Sequence, residues 1–72
     1  MVEVKFIGFI AEKMGAQAVK ISLKQPMKLK DMLEVELSED RCIVLIDHKR
    51  GTLDSLIKNG EKVMIMPVVS GG

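Results

Sequence analysis

The chain ends in Asn59-Gly60-Glu61-Lys62-Val63-Met64-Ile65-Met66-Pro67-Val68-Val69-Ser70-Gly71-Gly72. The Asn-Gly pair marks a turn, and the apolar run after it predicts a strand. Gly71 and Gly72 have no Cβ atoms, so a tail of this kind can enter a slot too narrow for side chains. The terminal carboxylate is therefore a candidate reactive group.

Three other segments predict strands. Val2, Val4 and Phe6 alternate with Glu3, Lys5 and Ile7, which is the period of a strand with one apolar face. Val19, Ile21 and Leu23 alternate in the same way, and we expect this second strand to pair antiparallel with the first. The apolar run from Cys42 to Asp47 predicts a third strand.

Helical spacing is found mainly in the middle of the chain. Leu29, Met32, Leu33 and Leu37 form one apolar stripe and predict the main helix. Residues 53–57 suggest a further helical turn, whereas residues 9–15 fit either a short helix stopped by Gly15 or the bent tip of a hairpin. The order of elements predicts an α+β roll with one main helix packed on one face of the sheet.

Two of the predicted strands are apolar on both faces. If Val44, Ile46, Val63 and Ile65 point toward the helix, their neighbours must point to the opposite side of the sheet. One helix covers only one face, so this outer face is a candidate partner-binding surface. Its expected members are Ile7, Ile43, Leu45, Met64 and Met66.

Length and composition narrow the functional classes. The 72 residues suit one domain, and 11 basic against 10 acidic residues give a net charge of +1. Scattered charge and only two aromatic residues argue against direct nucleic-acid binding. Cys42 is the only cysteine and lies in an apolar run, and no apolar stretch approaches membrane-spanning length. We therefore expect a cytoplasmic protein.

The chain resembles the ubiquitin-like sulfur carriers, a family that includes the molybdopterin-synthase small subunit and the thiamine-pathway carrier. The most specific likeness runs from the Asn59-Gly60 turn through Pro67 to the terminal Gly-Gly. It implies a β-grasp roll with a mixed four- to five-stranded sheet over residues 1–67 and a flexible tail over 68–72. Pro67-Val68 departs from the paired prolines of molybdopterin carriers, while the segment from Phe9 to Gly15 resembles theirs.

The resemblance also implies a chemistry. The Gly72 carboxylate would be adenylated and then converted to a thiocarboxylate that donates sulfur, while Val68, Val69, Ser70 and Gly71 thread the tail into a partner. The implied partners are an adenylyltransferase similar to ubiquitin-activating enzymes and a sulfur-acceptor enzyme such as the molybdopterin synthase large subunit. No permanently bound cofactor is implied, because the activating enzyme uses the ATP.

Two other functions remain open on the sequence. Activated Gly72 could instead be transferred to lysine amines, which would make the chain a protein modifier, or the chain could be a non-catalytic binding module. We do not expect an enzyme, because Ser70 and His48 lack the setting of a catalytic triad. Nor do His48, Asp47 and Cys42 form a convincing metal site.

Overall fold

The computed structural model describes residues 1–68, in which short strands and helices alternate. The strands are β1 (Val2–Phe6), β2 (Ala18–Ile21), β3 (Met27–Lys28), β4 (Cys42–Ile46), β5 (Lys49–Gly51), β6 (Leu56–Ile57) and β7 (Lys62–Pro67). The helices are α1 (Phe9–Met14) and α2 (Leu29–Met32), with a 3-10 turn at Glu39–Arg41. Within residues 1–68, no helix is both long enough and apolar enough to cross a membrane.

Five strands form a mixed sheet in the order β2-β1-β7-β4-β5. The central strand, β7, runs parallel to its neighbour β1, with Val4 opposite Val63. The remaining pairs in this sheet are antiparallel. The strands β3 and β6 form a separate two-stranded ribbon. The strand that leads to the tail is therefore held on both sides within the main sheet.

The hydrophobic core lies on one face of this sheet. Alternate residues of β1, β4 and β7 are buried there, and Ile10 of α1 and Leu29 of α2 cover them from the same side. Each fully buried side chain of this size contributes about 1.5–3 kcal/mol to folding. The buried residues are Val2, Val4, Phe6, Ile10, Leu23, Leu29, Cys42, Val44, Leu53, Ile57, Val63 and Ile65. The predicted α+β architecture, with helices on one sheet face, is confirmed.

The segment after β1 is a helix, which resolves the choice left open by the sequence. Gly15 ends α1 in a left-handed conformation with φ 75° and ψ 17°, and its N–H donates to the carbonyls of Ala11 and Glu12. Glycine adopts this conformation without steric penalty and is the usual residue after a helix end.

The predicted main helix is much shorter than its apolar stripe suggested. It ends at Met32, and Leu33 is already extended with φ −99° and ψ 137°. Leu33, Val35 and Leu37 are half-buried whereas Glu34 and Glu36 are exposed, so the segment alternates with the period of extended chain. Residues 1–68 thus contain two short α-helices rather than one main helix.

The second half of the chain also contains strands that the sequence did not predict. The expected helical turn near residues 53–57 is a turn followed by β6, in which Leu56 is exposed and Ile57 is buried. A tight hairpin turn at Asp47 and His48 joins β4 to β5. Asp47 and His48 have φ of 49° and 71°, the left-handed pair of a type I′ turn.

Candidate functional site

The tail leaves the fold at the end of β7. Pro67 lies opposite Cys42 in the last registered pair between β7 and β4. The Val68 N–H then donates to the Arg41 carbonyl at 3.1 Å. The base of the tail is therefore still paired with a neighbouring segment one residue beyond the strand.

Gly8 supports the base of the tail from the other side. Its backbone has φ 62° and ψ −141°, a conformation that residues other than glycine rarely adopt. A Cβ atom at this position would lie 3.3 Å from Cγ of Pro67. The start of α1 can approach the tail base this closely because residue 8 has no side chain.

The residues predicted to react and to thread the tail fall mostly beyond this point. Val69, Ser70, Gly71 and Gly72 lie outside the described residues. Val68 is described and is 43% exposed. The structure therefore shows where the tail begins and which residues surround its base.

The five apolar residues predicted for the outer face lie together. Ile43 is registered with Met66, and Leu45 with Met64. These four side chains are half-buried, whereas their strand neighbours Val44, Val63 and Ile65 are fully buried on the core side. Ile7 is 42% exposed and follows β1 next to β7, where its N–H donates to the Ile65 carbonyl. We call these five residues the outer strip: Ile7, Ile43, Leu45, Met64 and Met66.

Cys42 lies on the core side of the sheet and has no features of a reactive thiol. It is 7% exposed, and its Sγ donates to the Ser38 carbonyl at 3.3 Å. Burial raises the pKa of the thiol, and the nearby carboxylates of Glu39 and Asp40 raise it further. A raised pKa leaves less of the nucleophilic thiolate at neutral pH.

Asp47 has a structural task at the opposite end of β4. Its N–H donates to the Lys62 carbonyl at 2.8 Å, and its Oδ1 accepts from the Lys62 N–H at 3.0 Å. Both bonds extend the pairing of β4 with β7 to the hairpin. Across residues 1–68, no group of three His, Cys, Asp or Glu side chains could hold a metal ion.

A comparison with known proteins shows the family of this chain. The family model described as the ThiS family matches residues 4–72, almost the whole chain. The chain belongs to the ThiS family. The match runs from the middle of β1 through β7 and includes the tail base and the terminal glycines.

Solved structures show the same fold for this ThiS-family chain. SAMP1 from Haloferax volcanii is 23% identical with a TM-score of 0.75, and the alignment covers 99% of this chain and 98% of that one. A putative molybdopterin converting factor, subunit 1, from Pyrococcus furiosus is 19% identical with a TM-score of 0.70, covering 94% and 97%. The small archaeal modifier protein 1 from Methanosarcina acetivorans is 20% identical with a TM-score of 0.64, covering 99% and 95%. The β-grasp architecture expected from the sequence is confirmed.

Sequence reasoning missed Phe9 as a member of this region. Phe9 is 58% exposed and begins α1, directly after Gly8, where an added Cβ would lie 3.3 Å from Pro67 Cγ. The exposure of Phe9 depends on whether residues 9–14 form a helix or a hairpin. Because the sequence fitted both, it could not predict that exposure. With Ile7 and Val68, Phe9 places three exposed apolar side chains in the segments that meet at the tail base.

Proposed function

We propose that this ThiS-family chain is a sulfur carrier whose Gly72 carboxylate is the reactive group. The observation that carries the proposal is the match of the family model through Gly72, which includes the tail that follows β7. Residues 1–67 would form the folded body and residues 68–72 the tail. Val68, Val69, Ser70 and Gly71 would thread through a partner's channel, where bare glycine backbone allows close approach.

The proposed reaction begins with adenylation. A Gly72 carboxylate oxygen attacks the α-phosphorus of ATP, a C–O–P linkage forms and pyrophosphate leaves. Sulfide then attacks the activated carbonyl, and AMP departs as the C–S bond forms. If the sulfur arrives as a persulfide, a thiol must afterwards cleave the S–S bond, which gives the thiocarboxylate and a disulfide. The product is a soft nucleophile at the end of a tether.

The catalytic groups in this proposal belong to partner enzymes. An adenylyltransferase similar to ubiquitin-activating enzymes would bind ATP, so the carrier needs no permanently bound cofactor. A sulfur-acceptor enzyme would then take the thiocarboxylate for molybdopterin synthesis, thiamine synthesis or tRNA thiolation. The neighbour described as a molybdopterin converting factor subunit supports the first of these acceptors. We propose that these reactions take place in the cytoplasm.

The outer strip is the proposed contact for these enzymes. It is apolar, lies on the sheet face away from the helices, and includes Met64 and Met66 of the strand that leads to the tail. Methionine side chains adapt to different surfaces, which suits a carrier with more than one partner.

A second candidate function is protein modification. Two of the similar structures are of SAMP1, which one of the descriptions expands as small archaeal modifier protein 1. In this case the activated Gly72 carbonyl is attacked by a lysine amine, an amide bond forms and AMP leaves. A purely non-catalytic binding module would undergo neither reaction.

Pyrophosphate exchange with the activating enzyme from the same genome tests the proposal. Wild type should support exchange, and deletion of Gly72 should abolish it while circular dichroism and thermal melting stay unchanged. Gly71→Ala should reduce exchange less severely, because one methyl group obstructs a slot shaped for bare backbone. Full exchange by the Gly72-deleted chain would refute the role of the terminus.

A further inference from the structure

One edge of the five-stranded sheet has unpaired backbone groups. Strand β2 lies at this edge, and its neighbour in the sheet is β1. The Phe6 N–H donates to the Gln17 carbonyl at 2.9 Å, where the antiparallel pairing of the two strands begins. Hydrogen-bonded and non-hydrogen-bonded pairs alternate in such a ladder, so the backbone groups of Val19 point to β1 and those of Ala18 and Lys20 point away. Within residues 1–68, no other segment hydrogen-bonds to these outward groups.

An apolar groove lies beside this edge, on the side of the sheet that carries the helices. Its volume is about 270 Å³, and seven of the eight residues that line it are apolar, so aliphatic side chains of another chain could enter it. Val19 and Ile21 of β2 line the groove, as do Leu33 and Val35 from the chain that follows α2. All four side chains are half-buried, which means that the fold covers them only in part. We call this site the edge groove.

The surroundings of the edge groove are acidic. Glu34 is the charged residue among those that line it. A second depression shares Leu33, Glu34 and Val35 with the groove and is lined by five carboxylates and one amine, that of Lys30, which gives it a net charge of −4. Residues 31–40 contain five acidic residues and no basic one. The edge groove therefore opens toward a surface that favours a cation.

The cations nearest to the edge groove are paired or face elsewhere. Lys30 forms a salt bridge with Asp54 at 2.8 Å. Lys20 points to the opposite face of the sheet, because its strand neighbours line the groove. Lys13 of α1 lines a different depression, together with Arg41. Within residues 1–68, Glu34 forms no salt bridge, so a partner could supply its counter-charge.

We propose that the edge groove binds an extended peptide segment that has alternating aliphatic side chains and a basic flank. The main chain of the peptide would pair with Ala18 and Lys20 and add a strand to the sheet, as extended peptides do at exposed sheet edges. Every second side chain would enter the groove, and a lysine or arginine in the same row would lie against Glu34. The site lies on the helix side of the sheet and does not involve Gly72, so the inference goes beyond the proposed function.

A second copy of this chain fits the edge less well than a peptide does. Strand β2 has four residues, and pairing two such strands would bury far less than the roughly 1,200 Å² of a stable interface. Lys20 also lies within this strand, and lysines on edge strands discourage the pairing of identical edges. A short segment of a different protein has neither restriction.

Amide hydrogen exchange in the presence of synthetic peptides tests the inference. The probe is the end-blocked peptide Lys-Ser-Val-Thr-Ile-Ser-Lys, in which both aliphatic residues and both lysines share one row. At saturation it should slow exchange of the Lys20 N–H about tenfold or more, whereas the Val19 N–H, already bonded to β1, should change little. Glutamate in place of both lysines should weaken binding about threefold or more. Proline in place of threonine should abolish the protection, because it removes the N–H that would donate to the Lys20 carbonyl.

Matched variants of the protein locate the site. Val35→Arg places a bulky cation in the edge groove and should weaken binding of the lysine-flanked peptide about tenfold or more. Leu56→Arg makes the same kind of change on β6 at a side chain that is 65% exposed, and should alter binding less than about twofold. Thermal melting checks that both variants fold. Glu34→Lys, with exposed Glu12→Lys as its control, tests the acidic flank at the surface and should weaken binding about threefold or more.

Each outcome bears on the inference directly. Unchanged exchange at Lys20 with the lysine-flanked peptide overturns it, and so do equal affinities of the Val35→Arg and Leu56→Arg variants. Protection of Lys20 that appears without peptide and grows with protein concentration would assign this edge to a second copy and also overturn it. The Gly72-deleted chain should bind the peptide like wild type, so the inference stands even if the proposed function fails. Loss of peptide binding in that chain would place the contact at the tail instead.

Discussion

Gly8 shows how a single residue can allow two segments to approach each other at the base of the tail. Its φ of 62° and ψ of −141° suit glycine, and a Cβ would lie 3.3 Å from the Pro67 ring. On the other side of the tail base, the Arg41 carbonyl accepts from the Val68 N–H. At the tail base, glycine thus allows a close approach of the chain to Pro67, and one backbone hydrogen bond holds Val68.

Gly8→Ala should lower the free energy of unfolding by about 3 kcal/mol, because backbone strain and the contact with Pro67 act together. Gly15→Ala is the matched control. It also has a positive φ, but a Cβ there meets nothing within 4 Å, so we expect a loss of about 1 kcal/mol. Urea denaturation measures both. Equal losses would mean that the Pro67 contact is unimportant.

At the scale of elements, alternation predicted the strands well and apolar spacing predicted the helix poorly. Buried and half-buried residues of β4 and β7 alternate as the sequence indicated, with Val44, Val63 and Ile65 toward the core. The stripe from Leu29 to Leu37 fitted a helix, but Leu33, Val35 and Leu37 fit extended chain as well. Apolar spacing alone could not choose between these two periods.

Hydrogen bonds between distant segments explain why the bounds of α2 and the turn before β6 were not predicted. Lys28 offers no side-chain cap to α2, and the N–H groups of Leu29 and Lys30 donate instead to the carbonyls of Ser55 and Leu53. The Leu53 N–H in turn donates to the Glu39 carboxylate. These partners are distant in sequence, so local propensity does not reveal them.

The same substitution at two neighbouring residues of β7 should lower the free energy of unfolding by very different amounts. Ile65→Asp places a carboxylate among fully buried apolar side chains and should cost more than about 4 kcal/mol of stability. Met66→Asp should cost less than about 1.5 kcal/mol because Met66 is half-buried on the opposite face. Thermal melting checks both values.

The same pair tests the outer strip as a binding surface. Met66→Asp, or Leu45→Asp at its neighbour in the strip, should weaken binding to the activating or acceptor enzyme by about tenfold or more, because the contact would desolvate a charge. Titration calorimetry measures this. If Met66→Asp unfolds the domain as severely as Ile65→Asp, or binds like wild type, the assignment of the outer face is wrong.

At the scale of the whole molecule, one strand joins the proposed docking surface to the proposed reactive terminus. β7 contributes Val63 and Ile65 to the core, Met64 and Met66 to the outer strip, and then leads into the tail. The sequence predicted the members of the outer strip because alternation within each strand decides which residues share a face. The tail stays a prediction, since residues 69–72 lie outside the described residues. The sequence did not predict that Lys5, Arg50 and Lys62 share the outer face, because they come together only through pairing across four strands.

The central claim is that Gly72 carries sulfur, and the intact mass of the protein tests it most directly. The full chain is incubated with its activating enzyme, ATP and a sulfur source, with the Gly72-deleted chain as control. Wild type should gain the mass difference between sulfur and oxygen, and alkylation should then trap the thiocarboxylate, while the deleted chain stays unchanged. Wild type that is adenylated but never gains this mass, and instead forms heavier lysine conjugates or only returns to the free acid, would contradict the account.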